Sequence, residues 1–289
     1  VSSPRPFLVI DKPEWAAHNP ETDVTTKRRV WWGDFRTTEY ASIDPETTIA
    51  VLPVAAIEQH GPHLPVSTDT SIMNGMLETV IERLPADLDI RILPVQAVGK
   101  SNEHVHAPGT LTLPPATLID AWTELGLSIA RAGLKKLVVV NSHGGNEEIM
   151  GIVTRELRVR EKMLAVKTSW QRFGRPAGMY TELEDRHGIH GGDVETSLML
   201  HFRPDLVAMD KAENFVSNVA KAEKAFSLLR QTGTHAYAWI ARDLNPHGVV
   251  GDASIATAEK GRLTAEHQAD GFITLLKDVR KAKLSDWVL

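Results

Sequence analysis

The 289-residue chain has no cysteine. Disulfides, thiolate zinc fingers, iron–sulfur clusters and cysteine nucleophiles are thereby excluded. Any metal has to be held by carboxylates and by the 12 histidines. The chain also lacks an apolar run of the roughly 18 residues that spans a bilayer. It lacks an excess of positive charge: 32 Lys and Arg face 37 Asp and Glu, a formal net charge of −5. Neither nucleic-acid backbones nor anionic membranes are expected partners of such a chain. The opening Val1-Ser2-Ser3-Pro4-Arg5-Pro6 carries no apolar stretch of the signal-peptide kind, so the expectation is a cytoplasmic enzyme. Internal repeats, low-complexity tracts and a linker able to separate two domains are absent too. What is present, 42% hydrophobic and 24% charged residues, is ordinary for a globular protein and excludes a disordered, collagen-like or coiled-coil chain. The length is enough to bury a core without staples.

Residues 1–30 read as an irregular N-terminal arm, punctuated by Pro4, Pro6, Pro13 and Pro20. An exposed Trp31-Trp32 pair follows, and arm and pair together suggest burial against other subunits. Residues 31–289 read as a single domain. Apolar runs of strand length are predicted at 48–57, 90–95, 136–141 and 163–168. Helical periodicity is predicted at 69–84, 115–132, 146–160, 194–201 and 257–281. Strands alternating with helices specify βαβ units, hence an α/β fold whose mainly parallel sheet is covered on both faces. Polar residues that follow the buried strands then sit at the carboxyl edge of the sheet, where such folds place their sites.

Three segments carry chemistry there. The first is Glu58-Gln59-His60-Gly61-Pro62-His63-Leu64-Pro65, followed by Asp69. In extended chain Glu58 and His60 point to one face. Asp69 opens a helix and reads equally as its N-cap. The second is Asn141-Ser142-His143-Gly144-Gly145-Asn146-Glu147, a buried strand running through a glycine turn into a helix. The third, His187-Gly188-Ile189-His190-Gly191-Gly192-Asp193-Val194-Glu195, holds two histidines and two carboxylates in nine residues. A weaker fourth, Asn102-Glu103-His104-Val105-His106, precedes Pro108-Gly109-Thr110.

Taken in order, these motifs, with Glu195-Thr196-Ser197-Leu198-Met199-Leu200, Gly248-x-x-Gly251-Asp252-Ala253 and Ala256-Thr257-Ala258-Glu259-Lys260-Gly261, resemble the creatininase family of metal-dependent amidohydrolases over roughly residues 30–275. The resemblance implies a three-layer α/β/α fold and a homo-oligomer, a hexamer. It implies a divalent-metal site, two ions per subunit, of Zn²⁺, Mn²⁺ or Fe²⁺. Carried over, Glu58, His60, Asp69 and His143 would be metal ligands, with Asp69 bridging. His190 and Glu195 would be catalytic, Glu195 moving a proton to the leaving nitrogen. The implied activity is cleavage of a non-peptide C–N bond in a small cyclic amide or formamide; a creatininase-like peptidase and a metal-dependent isomerase or lyase are the alternatives. Two departures stand out. Gly145 occupies the position of a liganding Glu in creatininase, which leaves Glu195 or Glu147 to supply a carboxylate. Glu184-Asp185-Arg186-His187 holds no counterpart of a substrate-covering Trp, which argues against creatinine, while Arg186 suggests a substrate with a carboxylate or phosphate.

Overall fold

In the computed structural model, which describes residues 28–219 and 225–287, four parallel strands form the central sheet. β1 (Ile49–Val54), β2 (Ile90–Ile92), β3 (Lys136–Asn141) and β4 (Leu164–Ser169) lie in the order β2-β1-β3-β4. β1 and β3 are paired from Ile49 opposite Lys136 to Val54 opposite Asn141. Every residue of both strands is buried, which is why their sequences run apolar without alternation.

Helices cover both faces. α1 (Thr68–Arg83) follows β1, α2 (Pro115–Arg131) follows β2 and α3 (Glu147–Glu161) follows β3. After β4 come the short α4 (Glu182–His187) and α5 (Asp193–Phe202), then a two-residue antiparallel ladder of β5 (Asn214–Phe215) with β6 (Gly251–Asp252), then α6 (Ala258–Lys281). Alternate strand residues feed two cores. Ile49, Val51, Val138 and Val140 pack with α1, α5 and α6. Ala50, Leu52, Val54, Leu137 and Val139 pack with α2 and α3. The result is the expected three-layer α/β/α arrangement. Helix ends follow local chemistry: Pro115 opens α2, where a missing N–H costs nothing, and Gly133 beyond its end takes φ +94°. The Thr257 hydroxyl accepts from the Lys260 N–H at the start of α6.

Three expectations are corrected. The first strand stops at Val54, because its partner β3 ends at Asn141 and the chain beyond leaves the ladder; Glu58 and His60 therefore lie in a loop. β2 stops at Ile92, two residues before Pro94, which has no N–H to donate. Trp31 and Trp32 are half-buried within the subunit, not exposed. Trp31 packs on the first core and Trp32 on the second, with its ring 4.6 Å from Tyr40. Of the arm, residues 1–27 lie outside the described residues. Residues 28–30 run beside β2, where the Ile92 N–H donates to the Val30 carbonyl at 2.7 Å.

The chain passes from β1 to the helix on one face and from β3 to the helix on the other. β1 and β3 are neighbours, so a crevice opens outside their carboxyl ends, the position at which α/β sheets bind ligands.

Candidate metal centre

The β1–α1 loop delivers Glu58 and His60 into that crevice. Its shape is held by the Glu58 N–H on the Val66 carbonyl (2.9 Å), the Leu111 N–H on the Ile57 carbonyl (2.9 Å) and the Gln59 N–H on Thr110 Oγ1 (3.2 Å). Asp69 stands in the first turn of α1. His143 follows β3 directly, and its N–H donates to Asn141 Oδ1 at 3.0 Å. His190 and Glu195 come from the loop before α5 and from its first turn.

These six side chains converge. His60 Nε2 lies 3.6 Å from Asp69 Oδ1 and 3.7 Å from Glu195 Oε2. His143 Nδ1 lies 3.2 Å from Glu58 Oε1 and 3.5 Å from Asp69 Oδ2. His190 Nδ1 lies 3.6 Å from Glu58 Oε1. The two Asp69 oxygens thus face different imidazoles, the geometry a bridging carboxylate needs. Glu58, His60, Asp69 and His143 are all buried.

The outward nitrogens define the inward ones. His60 Nδ1 donates to the Glu58 carbonyl at 3.0 Å, His143 Nε2 to the Lys100 carbonyl at 2.8 Å, and His190 Nε2 to the Gln59 carbonyl at 2.8 Å. Carbonyls only accept, so each ring carries its proton outside and turns a lone pair toward the carboxylates, as metal-ligating histidines do. Glu58 Oε2, His60 Nε2 and Asp69 Oδ2 are buried and have no hydrogen-bond partner. Lone pairs aimed at carboxylate oxygens repel unless a cation or proton stands between them. The electrostatics agree: burial lowers the basicity of His60 and His143, yet Asp69 and Glu195 beside His60, and Glu58 and Asp69 beside His143, raise each to about 10. A site that binds protons so avidly suits a divalent cation, and its nitrogen and oxygen donors fit Zn²⁺, Mn²⁺ or Fe²⁺. Burial pushes the Asp69 carboxyl up, opposed by His60. Burial, then the charge of His60, lowers His190 to about 4.

Other residues were not evident from spacing. Glu147 is not in the cluster: it accepts from Ser169 Oγ and pairs with Lys167 and Arg172. Glu103 stands 3.6 Å from His143 Nε2, on the ring's outer side. A Cβ on Gly145 would fall 2.5 Å from Glu103 Oε1 and 2.3 Å from the Lys100 carbonyl oxygen. The space of the absent 145 side chain is thus filled from another loop. Glu184 is buried and accepts from the Val194 and Asp252 N–H groups at 3.3 and 3.1 Å. Its carboxyl group is cradled by Gly188, Gly192 and Gly251, where a Cβ would approach it to 2.1, 2.4 and 2.7 Å. Gly188 and Gly192 lie near Glu184 in sequence, but Gly251 comes from β6, so only the fold completes the cradle.

The cluster floors a cavity of about 870 Å³. Its aromatic lining comes from Trp170 at the end of β4 and from Trp239. The cations that line it are Lys100, Lys167, Arg172 and Arg175; Arg186 is not among them.

A family model described as creatininase, creatinine amidohydrolase, matches residues 33–276. The chain belongs to the creatininase family. Two mycofactocin precursor peptide peptidases are similar to this creatininase-family chain: that of Mycolicibacterium smegmatis is 34% identical over 221 residues, 75% of this chain and 80% of the relative, and that of Mycobacterium ulcerans is 30% identical over 84% of this chain and 90% of its own. A creatinine amidohydrolase of Pseudomonas putida is 29% identical over 87% of this chain and 97% of that protein. Among solved structures, a creatininase described as the Mn form superposes with a TM-score of 0.70 at 25% identity, over 87% of this chain and 98% of that one. A Glu-to-Gln mutant creatininase described as Zn–Zn type gives 0.69 at 26% identity, over the same shares. The chain is therefore a creatininase-family hydrolase with the fold of that family.

Proposed function

We propose that this chain hydrolyses an amide C–N bond in an extended, peptide-like substrate, and that Glu58, His60, Asp69 and His143 would hold the two divalent ions it uses. The observation that carries this reading is the convergence of inward-facing lone pairs and carboxylates at the floor of an 870 Å³ cavity. Binding sites for drug-sized ligands span about 300–1,000 Å³, so the cavity is roomy for a compact ring. The names of the peptidase relatives point the same way.

Bound divalent ions supply Lewis acidity, which acidifies water and polarises a carbonyl. The chain supplies positioning and proton transfer. Glu195 Oε2 is pinned by the Gly191 N–H at 2.6 Å, while its side chain stays partly open to the cavity. It takes a proton from the attacking water and gives it to the departing nitrogen. His190, its ring centroid 4.1 Å from that of His60 and tilted to it by 33°, turns its lone pair inward, 3.6 Å from Glu58 Oε1. Trp170 and Trp239 give the cavity apolar walls; Arg172 and Arg175 also line it, paired with Glu147 and Asp185.

The test is a panel of peptides, formanilides, cyclic imides and creatinine incubated with zinc- or manganese-loaded protein, with products read by mass spectrometry. Cleavage of peptide amides is expected. Turnover of creatinine or formanilide without peptide cleavage would select a compact non-peptide substrate instead. A product of unchanged mass would indicate an isomerase.

A further inference from the structure

Four histidines surround Glu58 and Asp69, and one of them is wired in the opposite sense. The wiring starts at Gln59. Its Oε1 accepts from the Gly61 N–H at 3.0 Å, and its Nε2 donates to the Gly248 carbonyl at 2.6 Å. Two backbone groups of opposite polarity thus fix which end of the amide is which. The second Nε2 hydrogen points to His104 Nδ1 at 2.9 Å. A ring nitrogen that accepts carries no proton, so the proton of His104 sits on Nε2. That nitrogen faces inward, 3.4 Å from Glu58 Oε1.

We propose that His104 is a neutral N–H donor to the acyl oxygen of a bound amide, not a metal ligand, and that Gln59 is the positioning residue that sets its tautomer. His60, His143 and His190 offer lone pairs to the cluster; His104 offers a hydrogen. An N–H cannot ligate a metal, although Glu58, His104 and His190 have ligand atoms close enough together to suggest it. Glu58 Oε1 is already within 3.2 Å of His143 Nδ1 and 3.6 Å of His190 Nδ1. It is a crowded acceptor, and His104 lines the cavity where a substrate oxygen would arrive. The ring is rigid: it is 2% exposed and stacks 4.4 Å from His190. With Nδ1 accepting from Gln59 and the single ring proton on Nε2, the donor is uncharged. A pre-placed neutral donor of this kind stabilises negative charge as it develops on oxygen. The choice of acyl oxygen as acceptor rests on the amide-hydrolase reading; the tautomer does not.

Solid-state ¹⁵N spectra of histidine-labelled wild-type protein report the tautomer directly, with His104→Phe identifying the resonance; His104→Gln serves if the Phe variant does not fold. A His104 ring protonated on Nε2 alone is expected. Zinc content, measured by mass spectrometry, is expected to be unchanged in His104→Phe and to fall in His143→Phe. Acetohydroxamate, whose oxygens mimic the acyl oxygen, is expected to bind zinc-loaded His104→Phe roughly tenfold more weakly, the loss of one hydrogen bond. A His104 protonated on Nδ1, or zinc lost from His104→Phe as from His143→Phe, overturns the proposal. Undiminished acetohydroxamate binding overturns the donor role. If tautomer, zinc and binding behave as expected but no amide is cleaved, the amide-hydrolase reading fails alone.

Discussion

At the scale of single residues, Asp69 is the most consequential, because its two oxygens face two different imidazoles. Asp69→Ala is expected to lose more metal than any other single exchange in the cluster, as elemental analysis will show; undiminished metal would sink the bridging role. Glu195→Gln separates two roles. If Glu195 only moves protons, the variant keeps its metal and kcat falls by roughly 10²–10⁴-fold; loss of one ion together with activity would make it a ligand. Gly145 is closed to side chains by the Lys100 carbonyl at 2.3 Å from a would-be Cβ. Gly145→Ala is therefore expected to destabilise by roughly 1–3 kcal/mol, read from the urea midpoint at constant slope; an unchanged midpoint would mean that the 100–103 loop yields freely. Much of this cluster was legible beforehand: Glu58, His60, Asp69, His143, His190 and Glu195 all meet. What was not legible came from hydrogen-bond direction. Glu147 looked available, but Ser169, Lys167 and Arg172 claim it from β4 and the turn beyond. Gln59 sits between two site residues and looked inert, because its partners Gly248 and His104 lie 189 and 45 positions away.

At the scale of elements, periodicity located the principal helices to within two residues, since each has an apolar face buried on the sheet or on a neighbouring helix. α4, β5 and β6 escaped, because elements of six and two residues are too short to show a period. Helix packing depends on a contact that the sequence shows only as a glycine. A Cβ at Gly261 of α6 would lie 1.9 Å from the Ser197 carbonyl oxygen of α5. Gly261→Ala is expected to push the two helices apart, lowering stability by roughly 1–3 kcal/mol. Because α5 carries Glu195 in its first turn, the same variant should lose activity beyond what its folded fraction explains. Full specific activity per folded molecule would show that the strain relaxes elsewhere.

For the whole molecule, the cluster couples binding to stability. Buried Glu58 and Asp69 oxygens without partners are costly, and any ion that binds only the folded chain raises its apparent stability. Chelation is expected to lower the melting temperature, and zinc or manganese to restore it; a melting temperature indifferent to chelators would mean that the cluster takes no ion in solution. Assembly into a hexamer is the expectation from family resemblance; the Trp31-Trp32 pair, half-buried within the subunit, adds no argument for it. Light scattering at micromolar concentration tests it, a monomer being the contrary result. Among the described residues no helix is long and apolar enough to cross a membrane. One feature reaches into how such a protein can diverge. The rings of His60, His143 and His190 are oriented by the main-chain carbonyls of Glu58, Lys100 and Gln59. A carbonyl survives any exchange of the side chain beside it. Lys100 can therefore drift to another residue without turning the His143 ring, and the cavity wall is free to be rewritten for new substrates while the inner chemistry is inherited intact.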